Sequence, residues 1–250
     1  SVTVGDYTMT LESFAMDEND LGIAWVVVTC PKGFKYTTET GANEYGDPAL
    51  SEDSELRSIG LVWEEDRHPC CWPEVNEEFT TPTELHLLLH LDANPDGKDL
   101  TRLTWSMTVM GHERDEGAIV VGPPEKRVEA IQCISDESEF VVSVSPFGYV
   151  VDGHAVSQEY YEAVEEKALF TMSDGTQLVA IEDLEELDGY SLVIDNRFFS
   201  MASEDYRSSR TLTTFFINTD ALESAIIQQT LCGNEDNREN TGDVVFYPER

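Results

Sequence analysis

Apolar side chains in this chain recur at every second position, in short runs cut by Gly, Pro, Asn and Asp. Leu103, Trp105, Met107 and Val109 alternate with Thr104, Ser106 and Thr108. That period suits a pleated strand with one covered face and one wet face, and it fails to give a helix a single apolar stripe. The same signature opens the chain, where Val2, Val4, Tyr7 and Met9 flank Gly5-Asp6. Gly22–Thr29, a β-branched run between Asn19-Asp20 and Pro31, reads as a strand buried on both faces or nearly so. Many such segments with few helical stretches predict an all-β fold.

The pattern continues with interruptions. Residues 31–58, rich in Gly, Thr, Asn, Glu and Ser, predict a long loop or irregular insertion, and Ile59–Trp63 a short strand. Leu85, Leu87, Leu89 and Leu91 alternate with Glu84, His86, Leu88 and His90, and lead through Asp92-Ala-Asn-Pro-Asp-Gly97 to the 103–109 strand. A hairpin is expected there, with a Leu-rich helix over 84–91 as the rival, since Leu favours helices. Gly122-Pro-Pro-Glu-Lys-Arg127 reads as a linker, because paired prolines cannot continue a ladder.

Beyond the linker, Val128–Ile134, Phe140–Val144 and Tyr149–Val151 read as strands, broken by Ser145-Pro-Phe-Gly148. The period lapses around Ser157–Glu166, where a short helix starting at Ser157 is expected. Lys167–Met172 and Thr176–Ile181 flank an Asp-Gly turn expected to use two positive-φ positions. Tyr190–Ile194 and Thr211–Ile217 read as further strands. A last hairpin pairs Glu223–Leu231 with Val244–Tyr247 across a polar loop at 233–242. The expected architecture is two tandem immunoglobulin-like antiparallel β-sandwich domains, over residues 1–122 and 128–250, without a detectable internal repeat.

Charge narrows the function classes. Against 50 acidic residues stand 15 Lys and Arg, a net charge of −35 in 250 residues. No basic row exists to neutralise phosphates, so no nucleic-acid partner is expected. An anionic leaflet is disfavoured as a docking surface for the same reason. With 40% apolar residues the chain nevertheless has the material for a core. It has no run of about 18 apolar residues to span a membrane. It opens on Ser1-Val2-Thr3 with neither Met nor a signal-peptide pattern, so a targeting segment is expected upstream.

Five cysteines (Cys30, Cys70, Cys71, Cys133 and Cys232) lack zinc-ligand spacing. Buried free thiols, or one bridge to Cys70 or Cys71, are the two readings.

Four constellations are candidates for chemistry. Asp92-x-Asn94-x-Asp96-Gly97 matches the first half of a calcium loop, but its twelfth position is Leu103, which cannot close the shell; an acidic turn is the plainer reading. His86 and His90 lack the adjacent general-base Glu of a zinc protease. On a strand they stand roughly 13 Å apart, too far to share a metal, and read as surface histidines on the wetter face. The acid pairs Glu64-Glu65, Glu77-Glu78, Glu165-Glu166 and Glu185-Glu186 invite a glycosidase reading, but in so acidic a chain they are expected as solvated loops. Trp63, Trp72 and Phe198-Phe199 offer a ligand platform or, more plainly, core. With no nucleophile elbow or phosphate loop present, no catalytic, cofactor-binding or metal residue is assigned, no cofactor is expected, and the chain is read as no enzyme.

Several stretches resemble a known family. Val2-Thr-Val-Gly-Asp-Tyr-Thr-Met-Thr-Leu11, Ala15-Met-Asp-Glu18 and Gly22–Thr29 look like the start of an extracytoplasmic immunoglobulin-like β-sandwich domain. That domain belongs to uncharacterised membrane-anchored proteins of Gram-positive gut bacteria, some similar to anti-sigma regulators. Val142-Ser-Val-Ser-Pro-Phe-Gly148, Leu169-Phe-Thr-Met-Ser-Asp-Gly-Thr176 and Phe216–Ile227 resemble its later strands and its Asp-Gly hairpin. The insertion at 31–58 and the loop at 233–242 depart from it, and it carries no catalytic residues across.

The resemblance implies an extracellular, cell-surface module, tethered by an upstream membrane helix, that senses, binds or spaces without catalysis. Its partner would be an unknown protein or glycan. Two alternatives are a capsid, spike or surface-layer protein of a halophilic system, which would melt below molar salt, and a carbohydrate-binding or carbohydrate-active sandwich, which a glycan array with a hydrolysis screen would expose.

Overall fold

The computed structural model describes residues 1–34, 38–39, 49–50, 55–63, 71–92, 102–113, 117–154, 160–181, 196–203, 206–213, 215–233, 238–240 and 242–249. Among them the regular elements are strands apart from one 3-10 turn, Thr219–Ala221, and no helix is long and apolar enough to cross a membrane. The chain is all-β, with antiparallel sheets. It divides into two compact units: Ser1–Met16, Gly22–Asn94 and Lys98–Arg127 form one, and Asp17–Leu21, Pro95–Gly97 and Val128–Arg250 the other.

The first unit is built from β1 (Val2–Val4), β2 (Tyr7–Met16), β3 (Leu21–Thr29), β4 (Thr38–Glu39), β5 (Ala49–Leu50), β6 (Leu56–Trp63), β7 (Cys71–Val75), β8 (Glu84–Asp92), β9 (Leu103–Val109) and β10 (Ala118–Val121). One sheet runs β1-β2-β3-β8-β7, a second β10-β9-β6, and β4 pairs with β5. The two larger sheets share one core. Met9, Val26, Val28, Leu85, Leu87, Leu89 and Leu91 from the first meet Leu56, Ile59, Leu103, Trp105 and Met107 from the second. Phe14 meets Trp105 edge to face at 5.5 Å.

The Leu ladder explains why β8 is a strand. Leu85, Leu87, Leu89 and Leu91 are all buried, each contributing about 1.5–3 kcal/mol of transfer free energy. On a helix the same four would spread around the cylinder and could not share one buried face. The rival helix is thereby excluded, and so is the expected 85–109 hairpin. β8 lies between β3 and β7, whereas β9 lies between β6 and β10 in the other sheet. Alternation assigns a face to each strand, not a neighbour. Of the insertion expected at 31–58, the described parts hold β4, β5 and the start of β6.

The second unit comprises β11 (Ile131–Ile134), β12 (Val141–Ser145), β13 (Gly148–His154), β14 (Tyr160–Met172), β15 (Gln177–Ile181), β16 (Asn196–Ser203), β17 (Tyr206–Leu212), β18 (Leu222–Gly233), β19 (Arg238–Asn240) and β20 (Val244–Pro248). Their order is β15-β14-β18-β20-β11-β12-β13-β17-β16, with β19 beside β18. β20 joins the halves of this sheet: Val244–Phe246 pair with β18, and Tyr247 and Pro248 with β11. Val142, Val144, Tyr149 and Val151 share a core with Ala168, Phe170, Leu222, Ala225 and Phe246. Tyr149 and Phe170 meet edge to face at 5.3 Å.

Three expectations are corrected here. β14 occupies most of the segment expected as a helix from Ser157. Its register against β18 shifts between Tyr160 and Glu162 and again between Ala163 and Glu165, and each such bulge shifts the alternation by one residue, erasing the period of two. The turn after Met172 has a positive φ at Gly175 (83°) but not at Asp174, and its frame bonds are Met172 N–H to Thr176 O and Gly175 N–H to Met172 O. It is therefore a three-residue connection with a left-handed glycine, not a two-residue primed turn. The polar loop at 233–242 contains β19. The strand expected at Tyr190–Ile194 lies outside the described residues.

Candidate functional site

The connection from β7 to β8 is tightly tied. Asn76 N–H donates to His86 O (2.9 Å) and Thr80 N–H to Asn76 O (3.1 Å). The Thr80 hydroxyl donates to Asn76 O at 2.8 Å and accepts the His86 N–H at 3.1 Å. Thr81 and Glu84 exchange backbone bonds, while Cys30 N–H reaches Thr83 O and Phe34 N–H reaches Pro82 O. The N–H groups of Asn76, Thr80, Thr81 and Glu84 thus find partners within the protein.

This frame holds Phe79 outward, half exposed at 50%. Its ring lies 5.5 Å from that of Trp25 on β3 and 6.1 Å from His86 on β8. Trp25 and His86 are edge to face at 5.8 Å, and Trp25 Nε1–H donates to His86 Nδ1 at 3.3 Å. Since Nδ1 accepts, the neutral imidazole carries its proton on Nε2. That nitrogen lies 3.9 Å from Glu84 Oε2. Glu77, Glu78 and Glu84 are exposed beside this aromatic surface.

His90 stands further along β8, with Nε2 at 3.4 Å from Glu74 Oε2. The bond to His90 holds the Glu74 carboxyl below its ordinary range, against a smaller upward push from burial. The reading of His86 and His90 as surface histidines is corrected: their side chains are only 17% and 10% exposed. Trp25, half-buried on a strand expected to be covered on both faces, supplies the ring and the hydrogen bond beside His86.

The second unit holds a different polar centre. Asp17 is fully buried. Its Oδ1 accepts the N–H groups of Asn19 and Leu21, both at 2.8 Å, in a turn where Asp20 has φ +63°. Burial pushes the carboxyl up to about 6, opposed by bonds from Ser145, Leu21 and Asn19 and by the Arg210 charge. Asn19 Oδ1 accepts from the Ser143 hydroxyl at 2.9 Å, and the Arg210 guanidinium donates to Asn19 O.

The other sequence candidates scatter. Asp92 is buried at the end of β8, while Asn94, Asp96 and Gly97 lie outside the described residues. Among the described residues no group of three or more His, Cys, Asp or Glu is placed to hold a metal ion. Glu77-Glu78 is an exposed turn, but Glu165-Glu166 belongs to β14, correcting the loop reading of that pair. Glu64-Glu65 and Glu185-Glu186 lie outside the described residues. Trp63 ends β6, Trp72 stands opposite His90 in the β7–β8 register, and Phe198-Phe199 belongs to β16; their side chains are likewise outside them.

Cys30 and Cys133 are buried free thiols, and burial pushes the Cys133 thiol up to about 12. Cys70 and the side chains of Cys71 and Cys232 fall outside the described residues. The aromatic surface itself escaped sequence reading. Its one local signal is Phe79, a lone large aromatic inside the polar stretch Asn76–Glu84.

No family model matches the chain, and no curated protein does. Among solved structures, a conserved domain protein from Bacillus anthracis resembles it with a TM-score of 0.42 at 10% identity, over 99% of this chain and 87% of that one. That likeness is too weak to carry fold or function across.

Proposed function

We propose that the chain is the extracytoplasmic part of a membrane-tethered bacterial protein, of the kind its sequence resembles in Gram-positive gut bacteria. In this reading two immunoglobulin-like sandwiches bind a partner at the cell surface, without a catalytic step. The observation that carries the binding role is Phe79, half exposed beside Trp25 and His86 on a loop whose Asn76, Thr80, Thr81 and Glu84 N–H groups are bonded within the protein. A rigid aromatic offers contact area at little entropy cost, which suits recognition. Two units, each with its own core, support the tandem arrangement. The charge of −35 would keep such a module soluble and clear of an anionic envelope.

The test is protease shaving of intact cells that make the protein, followed by immunodetection of this chain. Loss of the signal before lysis is expected. A signal that survives on intact cells and is lost only after lysis would place the chain inside and refute the reading.

A further inference from the structure

We propose that the surface formed by Phe79, Trp25 and His86, rimmed by Glu77, Glu78 and Glu84, docks a cationic peptide segment of a partner protein. This rests on the binding-module reading above and names the chemistry of the partner.

Two properties coincide at this place. The first is an aromatic anchor already in position. Phe79 is half exposed, yet the loop carrying it is closed by the Asn76, Thr80 and His86 bonds, so little ordering remains for the moment of binding. The second is charge of one sign. Residues 71–97 contain no Lys or Arg, Glu77 and Glu78 are exposed on the turn that carries Phe79, and the exposed Glu84 has its Oε2 3.9 Å from His86 Nε2. Lys32, on the segment whose Phe34 N–H bonds this loop, is engaged by Asp6.

A guanidinium or ammonium group meets both properties at once. It is attracted to an aromatic face through the ring quadrupole, and to the carboxylates beside it through charge. An uncharged sugar would stack on the rings and leave the sign of the rim unused. An anionic polymer would be repelled. The long-range field of the chain would also speed the approach of a basic segment in a salt-dependent way.

The experiment uses the full chain and a fluorescent arginine–glycine repeat peptide, titrated by anisotropy at low and physiological salt. Diffuse attraction to so acidic a protein is separated from docking by three variants, each first shown to keep the wild-type circular dichroism. Phe79→Ala is expected to weaken binding about fivefold, the scale of one lost cation–aromatic contact. Glu77→Gln with Glu78→Gln is expected to weaken it and to flatten its salt dependence. Glu137→Gln, on an exposed turn of the other unit, removes charge elsewhere and is expected to leave affinity unchanged. Equal affinity in all variants would mean diffuse attraction and overturn the proposal. So would a neutral glycan, captured on an array by the wild type and lost with Phe79→Ala, while the peptide shows no dependence on Phe79. Peptide binding and surface location are read separately, so either reading can fail while the other stands.

Discussion

Asp17→Asn tests whether the buried turn of the second unit is held by hydrogen-bond geometry or by charge. Asp17 is fully buried, and burial lifts its carboxyl from 3.8 to about 6. At about 1.36 kcal/mol per tenfold change in proton affinity, that gap corresponds to about 3 kcal/mol. The sign follows from which state holds the proton more tightly. Here it is the folded state, so stability is lost as pH rises from about 4 through about 6, and the loss is complete near pH 7. Asparagine keeps an oxygen to accept the Asn19 and Leu21 N–H groups, presents an N–H toward Ser145, and cannot ionise.

The variant should therefore be more stable than the wild type by about 1–3 kcal/mol at neutral pH, with the advantage shrinking below about 1 kcal/mol near pH 4. Comparing the two proteins cancels the response of the other carboxylates. Urea unfolding followed by far-ultraviolet circular dichroism is the assay. Tryptophan fluorescence serves as an internal reference, because Trp25, Trp63, Trp72 and Trp105 all precede residue 128 and report the first unit. If Asp17→Asn proves destabilising by the same amount at both pH values, the carboxylate charge facing Arg210 supports the fold, and the argument from burial is wrong.

Gly148→Ala would set a Cβ 2.0 Å from Thr211 O and 3.1 Å from Leu21 Cδ1; a loss of about 1–3 kcal/mol in the second unit, read by urea midpoint, is expected for such overpacking. Leu89→Ala and Leu88→Ala test the alternation of β8 directly: Leu89 is buried and Leu88 only partly so. The first should cost about 2–5 kcal/mol and the second distinctly less, both read from tryptophan fluorescence during unfolding. Cys133, buried and with its thiol pushed up to about 12, should resist iodoacetamide in the native protein near pH 8 and be alkylated once urea unfolds the chain, as mass spectrometry would record.

What could be read from the amino acids alone was the part of the fold that is local. Leu103, Trp105, Met107 and Val109 are buried and the Thr and Ser between them are not, because alternation is a property of one strand against one core. The partner of that strand is not local. β8 and β9 carry the same alternation because both line the same core from opposite sheets, so no pattern within residues 84–109 could tell a hairpin from a crossover. In β14 the local signal itself was removed by the two register shifts, and a strand without its period resembles the start of a helix.

The sites follow the same division. Asp17 is one acid among 50. What singles it out is Ser145 and Arg210, with Ser143 bonded to its neighbour Asn19, all more than a hundred positions away and brought there by the second unit's sheet. Trp25 and His86 likewise meet because β3 and β8 are neighbours across an intervening length of chain. Phe79 is the exception. A large aromatic set among Glu77, Glu78, Thr80 and Thr81 has no apolar neighbour in sequence to share a buried face with, a local signal that a reading by alternation passes over. A side chain kept outside by its own surroundings, and then fixed there by hydrogen bonds it does not make itself, is where a search for this protein's partner should begin.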